Sequence, residues 1–291
     1  MMKTLLTLST ALLFTAGAAF AQSNDAVLTQ SGDDNDATVE QIGSGNGAVL
    51  SQGFAGQGQD GAIGEIFQDG NDNSATLNQR AWGSDDNEHY IDQIGDNNAA
   101  SVNIFNGDNY GIVEQYGSEN DARMVQSGTD NGSVILQTGD ENYAYSSSTA
   151  GSGNVTGIVQ GVPSVLPGMG GLQPMTLLSP GMPSSGNTAT LAVIGSNNQA
   201  GILQIGLGNS AGSNPQYTGA KGIAIEGDGN IAGIAQLGIQ NEANISVLGD
   251  ANMALIGQMG ASNSGSIMQD GSGNSALITQ SGTGLPLTPL D

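Results

Sequence analysis

From Asn24 onward, small or apolar residues alternate with polar ones, and the alternation resets every eleven residues. One unit reads Asn-x-Ala-x-(Val/Leu/Ile)-x-Gln-x-Gly-x-x, and its eleven positions are called slots below. The first unit places Asn24, Ala26, Leu28, Gln30 and Gly32 in slots 1, 3, 5, 7 and 9, and the second places Asn35, Ala37, Val39, Gln41 and Gly43 there. Slot 1 returns at Asn46, Asn73, Asn87, Asn98, Asn109, Asn120, Asn131 and Asn142, then at Asn187, Asn198, Asn209, Asn230, Asn241, Asn252, Asn263 and Asn274. Weaker units with Ala62, Asn154 and Gly219 in that slot bring the total to 21. A spacing of two carries side chains to one face of a strand, so each unit predicts a strand of roughly six or seven residues. Glycine in slot 9, followed by Asp, Ser, Gly or Asn, supplies turn chemistry. A helix over the same residues would carry a glycine in every unit, at about 1 kcal/mol each.

A single strand has nothing to bury its Ala/Leu face against, whereas two consecutive units folded together do. The expected fold class is therefore all-β: a β-solenoid with two strands per 22-residue coil, built from 11-residue half-repeats with cross-β-like stacking. Stacked at about 4.8 Å, around ten coils make a rod on the order of 48 Å long. Slots 3 and 5 fill the interior, and the amides of slots 1 and 7 line it. A buried amide is costly unless hydrogen-bonded, but a stack lets each amide bond its counterpart one coil away. The expected structural amide ladder comprises Asn24, Gln30, Asn35, Gln41, Asn46, Gln52, Asn73, Gln79, Asn120, Gln126, Asn131, Gln137, Asn230, Gln236, Asn263, Gln269, Asn274 and Gln280. The expected turn glycines are Gly32, Gly43, Gly70, Gly117, Gly128, Gly139, Gly206, Gly238, Gly260 and Gly271.

The pattern is interrupted. Residues 161–186 hold five of the eight prolines (Pro163, Pro167, Pro174, Pro180 and Pro183), and proline cannot donate to a ladder. The segment reads as an insertion or linker between a first repeat stretch, 22–160, and a second, 187–284, with a tail at 285–291. Smaller insertions near 53–61, 84–86 and 212–218 are expected as loops at coil corners. Before the repeats, residues 1–21 show Lys3, an apolar run from Leu5 to Phe14 and Ala19-Phe20-Ala21, the layout of a cleaved export signal. Export through the periplasm to the cell exterior follows as the expectation, with no membrane span in the mature chain.

Composition narrows the chemistry. The formal charge of −23 gives no basic face for nucleic acid, and with no Cys there is neither a disulfide framework nor a thiolate metal site. The G-x-G-x-x-A strings at Gly206, Gly227 and Gly271 are repeat turns with no helix behind them, so they predict no nucleotide site. Asp69, Asn71 and Asn73 begin like a calcium loop, but Ser74 stands where Gly is required and Arg80 where the last Glu belongs. His89, the only histidine, falls in slot 3, an expected inward position, and is read as a packed or partly exposed structural residue. No catalytic, cofactor or metal site is expected, and the chain is not read as an enzyme. Acids at the turns are expected to slow association through self-repulsion.

The string from Gln30 through Gly32, Asn35 and Ala37 to Gln41 resembles the curlin repeat core, Gln-x-Gly-x-x-Asn-x-Ala-x-x-x-Gln. It recurs as Gln41–Gln52, Gln68–Gln79, Gln115–Gln126 and Gln269–Gln280. The resemblance implies a secreted structural subunit that self-assembles end to end into curli-like extracellular amyloid fibres for adhesion and biofilm matrix. Its implied partners are further copies of itself, other curlin-type subunits and an outer-membrane secretion channel. The alternative is a monomeric secreted β-solenoid adhesin or surface-binding protein that does not polymerise. The repeats open at Asn24, where known curli subunits first carry a Gly/Asn-rich segment, and they are about twice as many as in the family's best-known members.

Overall fold

The computed structural model describes residues 23–53, 59–80, 83–84, 86–161, 184–212 and 222–283. The expected leader, the tail at 285–291 and most of the proline-containing insertion lie outside these residues. Among the described residues every element is a strand, and no helix is long and apolar enough to cross a membrane. The chain winds as a parallel β-solenoid with two strands per coil.

The first strands of successive coils form a front sheet: Asp25–Gln30, Gly47–Gln52, Ser74–Arg80, Ala99–Phe105, Asp121–Thr129, Tyr143–Ser152, Thr188–Ile194, the split strand Ser210–Ala211 with Ile223–Glu226, Glu242–Leu248 and Ser264–Asp270. The second strands form a ten-stranded back sheet: Asp36–Ser44, Ile63–Asn71, Glu88–Ile94, Tyr110–Tyr116, Gly132–Thr138, Val155–Gln160, Gln199–Leu207, Ile231–Ile239, Met253–Ala261 and Ser275–Thr283. Coils 1 to 10 are numbered in this order. Pairing is parallel and joins equal slots, as where Leu50 lies beside Leu28 and Leu77.

Strict alternation explains the core. In the back strand Glu88–Ile94, slots 3, 5 and 7 are buried and the residues between them are not. Alanine in slot 3 and a larger aliphatic in slot 5, such as Ala75 with Leu77 or Ala243 with Ile245, fill the narrow space between the sheets. Each buried Leu or Ile contributes roughly 1.5–3 kcal/mol. The stack ends are less covered. Leu28 and Val39 in coil 1, like Ala276 and Ile278 in coil 10, are only half-buried against the core.

The four insertions resolve in three ways. Strands on either side of 162–183 pair directly in both sheets, Tyr143 with Thr188 and Val155 with Gln199, so one stack runs through. Ser185 bridges Asp140 and Leu207, which puts Gly161 in slot 8 and Ser184 in slot 9 of one unit. The pieces 59–60 and 83–84, from neighbouring corners, pair with each other. The insertion near 212–218 is not at a corner. It leaves the front strand after Ala211, and the strand resumes with Ile223 beside Leu191. The units at Asn209 and Gly219 are therefore one, and the stack holds 20 half-repeats, not 21. Register explains the miscount: Gly219 stands four residues before Ile223, so the resumed half mimics a fresh unit.

Candidate functional site: amide ladders and open ends

The back sheet carries glutamine in slot 7 of all ten coils, and these side chains form one unbroken chain of hydrogen bonds. Gln41 Nε2 donates to Gln68 Oε1 at 2.8 Å, Gln68 to Gln93 at 2.8 Å, Gln93 to Gln115 at 2.7 Å and Gln115 to Gln137 at 2.8 Å. The relay continues from Gln137 through Gln160, Gln204, Gln236 and Gln258 to Gln280. Each Nε2 donates towards the C-terminal coil. Its second proton goes to a front-strand carbonyl, as from Gln115 to Ala99 O at 2.9 Å. Buried amides are thereby satisfied, and a register slip would break every link at once.

The front sheet is less uniform. Gln30 donates to Gln52 and Gln52 to Gln79 at 2.9 and 3.0 Å, but slot 7 then holds Ile104. Gln126 restores the amide, Ser148 follows, and Val193, Ile225 and Val247 make slot 7 apolar for three coils. Gln269 returns in the last coil beside Val247, and its Oε1 is buried without a hydrogen-bond partner.

Slot 1 runs the other way. Asn120 accepts at Oδ1 from the backbone N–H and Nδ2 of Asn142, and donates from its own Nδ2 to Asn98 Oδ1 and Gly139 O. Asn24, Asn35, Asn46, Asn73, Asn131, Asn230, Asn263 and Asn274 occupy equivalent places, all but the outermost buried. The glutamine chain thus donates towards the C-terminal coil and the asparagine chain towards the N-terminal one.

Turns form a third ladder that slot-by-slot reading missed. In slot 10, Asn71 N donates to Asp96 Oδ1, Ser118 N to Asp140 Oδ1, Ser196 N to Asp228 Oδ1 and Asp228 N to Asp250 Oδ1, at 2.7–2.9 Å. The signal was present: Asp, Asn or Ser stands in slot 10 of about half the units. These acids are acceptors for turn amides as well as surface charges. All ten expected turn glycines have positive φ, between 101° and 134°. At Gly117, for one, a Cβ would collide with the Gly139 carbonyl in the next coil.

Outside the back sheet, Glu65, Phe67, Tyr90, Asp92, Ile112 and Glu114 line a shallow groove on coils 2 to 4. Burial raises the Asp92 and Glu114 carboxyls, with neighbouring acids adding to the rise. Tyr90, donating to Glu88 at 2.7 Å, is pushed up to about 12 mainly by that bond. Among the described residues no three His, Asp or Glu side chains converge to hold a metal ion. The Asp69–Asn73 stretch is a repeat turn whose Asn73 belongs to the slot 1 ladder. His89 lies inside the stack, fully buried.

Among the described residues, the two ends of the stack are unpaired edges of both sheets. Gln30 and Gln41 donate inward, and their Oε1 atoms make no hydrogen bond among the described residues. Among the described residues, Gln269 and Gln280 at the other end donate only to Met253 O and Ser264 O, leaving one amide proton each. A family model for the curlin associated repeat matches residues 21–53 and 249–282, the two ends of the stack. No curated protein sequence matches the chain.

Proposed function

We propose, from the premise that this is a curlin-repeat protein, that it is a structural subunit whose last coil stacks on the first coil of another copy to build an extracellular fibre. The observation that carries this reading is the complementarity of the ends. Each end retains glutamine in slot 7 of both sheets. The last coil offers the unused amide protons of Gln269 and Gln280, and the first coil offers the unused oxygens of Gln30 and Gln41. Asn263 and Asn274 donate towards the N-terminal coil, as inner Asn residues do, which among the described residues leaves their Oδ1 atoms as acceptors on the last coil. A joined pair therefore continues every ladder, and an unpaired edge favours such addition.

Charge supports a fixed polarity of joining. Of the 27 acids, 21 lie in 22–160 and five in 187–284. The first coil carries Asp25, Asp33, Asp34, Asp36 and Glu40, and the last carries Asp270. Two first coils repel one another, whereas a first and a last coil do so far less. Export, adhesion and a matrix role follow from the same reading, as the function of a fibre outside the cell.

The test is thioflavin-T fluorescence with fibre diffraction on residues 22–291 across salt concentrations. Seedable fibres with a meridional reflection near 4.7–4.8 Å, growing faster in salt as end repulsion is screened, are the expected result. A chain that remains monomeric and β-rich throughout would overturn the subunit reading in favour of a solitary surface-binding solenoid.

A further inference from the structure

We propose that His89 is an acid-sensitive splice in the interior ladder: its neutral imidazole carries the front-sheet relay across a missing glutamine, and its protonation opens the stack at coils 3 to 5. The relay fails at Ile104, whose neighbours in the same slot are Gln79 and Gln126. Two coil spacings, about 9.6 Å, separate those amides, too far for a direct bond. The bridge comes from the opposite sheet. His89 occupies slot 3 of the back strand Glu88–Ile94, with Nδ1 3.2 Å from Gln79 Nε2 and Nε2 2.7 Å from Gln126 Oε1.

The surrounding bonds assign the proton. Gln79 Oε1 already accepts from Gln52, so its Nε2 is the atom that meets the ring. Gln126 Nε2 donates to Tyr110 O and Asn131 O, so its Oε1 meets the other ring nitrogen. Nδ1 must therefore accept and Nε2 must donate, which is the neutral Nε2–H tautomer. Space for the ring is built in. Slot 3 of the flanking back strands holds Gly64 and Gly111, and a Cβ on Gly111 would stand 2.5 Å from His89 Cδ2 and 2.7 Å from Met124 Sδ.

Among the described residues no charge stabilises an imidazolium there. The strands packed around His89 carry Glu65, Asp69, Arg80, Glu88, Tyr90, Asp92, Tyr110, Glu114, Tyr116, Asp121 and Arg123, all in even slots on the outer faces, and every inward neighbour is neutral. Burial lowers the His89 pKa to about 4, against a smaller opposing effect of the Gln126 bond. The unfolded chain therefore takes up the proton first. The stability tied to the neutral ring is present above pH 6.5 and is lost as pH falls towards 4. Protonation sets an N–H against the Gln79 amide, donor facing donor. Turning that amide over would break its bond with Gln52, so the conflict cannot be absorbed locally.

With a single histidine, ¹⁵N-histidine NMR on the unassembled full chain reads the site directly. The expected spectrum is the Nε2–H tautomer, titrating near 4. Across the same pH range, the protection factors of backbone amides in coils 3 to 5 are expected to fall by about tenfold or more, while those in coils 8 and 9 hold. His89→Gln, neutral at every pH, is expected to abolish that step. A resonance titrating near 6.5, a proton on Nδ1, or exchange in coils 3 to 5 indifferent to the His89 titration would overturn the proposal. Should His89→Gln fail to fold, the wild-type titration and exchange decide alone. Neither readout depends on fibre formation.

Discussion

Gln137 and Gln269 occupy the same slot, yet the same substitution is expected to act on them very differently. Gln137 Nε2 donates to Asp121 O at 3.1 Å, Asn142 O at 2.9 Å and Gln160 Oε1 at 2.9 Å, and its Oε1 accepts from Gln115 Nε2 at 2.8 Å. Leucine keeps the volume but strands one amide proton of Gln115 and the Oε1 of Gln160 inside the stack. Each buried orphan costs about 1–3 kcal/mol, so Gln137→Leu is expected to destabilise the chain by about 2–5 kcal/mol. Gln269 already faces Val247, with its Oε1 unpartnered. Leucine there removes that orphan and forfeits one bond, from Nε2 to Met253 O at 2.9 Å. The two effects nearly offset, leaving a change within about 1 kcal/mol of zero. Urea unfolding of the unassembled chain at low salt, followed by circular dichroism, compares the midpoints at constant slope. The reasoning fails if Gln137→Leu shifts the midpoint no further than Gln269→Leu does. If copies join as proposed, Gln269→Leu is also expected to slow end-to-end assembly, because it removes a donor from the last coil while leaving the fold intact.

Other expectations follow from single contacts. Gly117→Ala requires a positive φ from alanine, about 1–3 kcal/mol of strain, and also drives Cβ into the Gly139 carbonyl; thermal unfolding should fall accordingly, and an unchanged midpoint would contradict the turn geometry. Deleting 162–183 makes slots 8 and 9 adjacent through Gly161 and Ser184, so β content by circular dichroism should persist; a disordered spectrum would mean that the insertion holds coils 6 and 7 together. Burial raises the Asp92 and Glu114 carboxyls in the folded chain, so their contribution to stability declines as pH rises through those elevated values. Asp92→Asn and Glu114→Gln should therefore raise the urea midpoint at neutral pH, and the gain should vanish in acid; a lowered midpoint at neutral pH would refute this.

Much of the fold was legible because each slot has one job. Alternation of two, glycine in slot 9 and amides in slots 1 and 7 leave a parallel two-strand coil as the arrangement that buries Ala48 and Leu50 while bonding Asn46 and Gln52. What escaped depends on relations between coils, and a single unit does not express those. The split strand at Ala211 and Ile223 looked like two units because its halves keep register across the gap. The slot 10 ladder was hidden because Asp, Asn and Ser are also ordinary turn residues. His89 was readable as inward-facing, but its role rests on Ile104 and Gly111, which come 15 and 22 residues later and meet it only once the chain has wound round.

The interruptions re-enter the stack in the slot after the one they left, Gly161 to Ser184 at a corner and Ala211 to Gly222 within a strand. In a fibre the subunit becomes a ruler. Ten coils at about 4.8 Å fix a repeat on the order of 48 Å, and anything spliced between Gly161 and Ser184 recurs at that pitch. Display density along the filament would be set by the number of coils per chain and not by the length of whatever is hung from them.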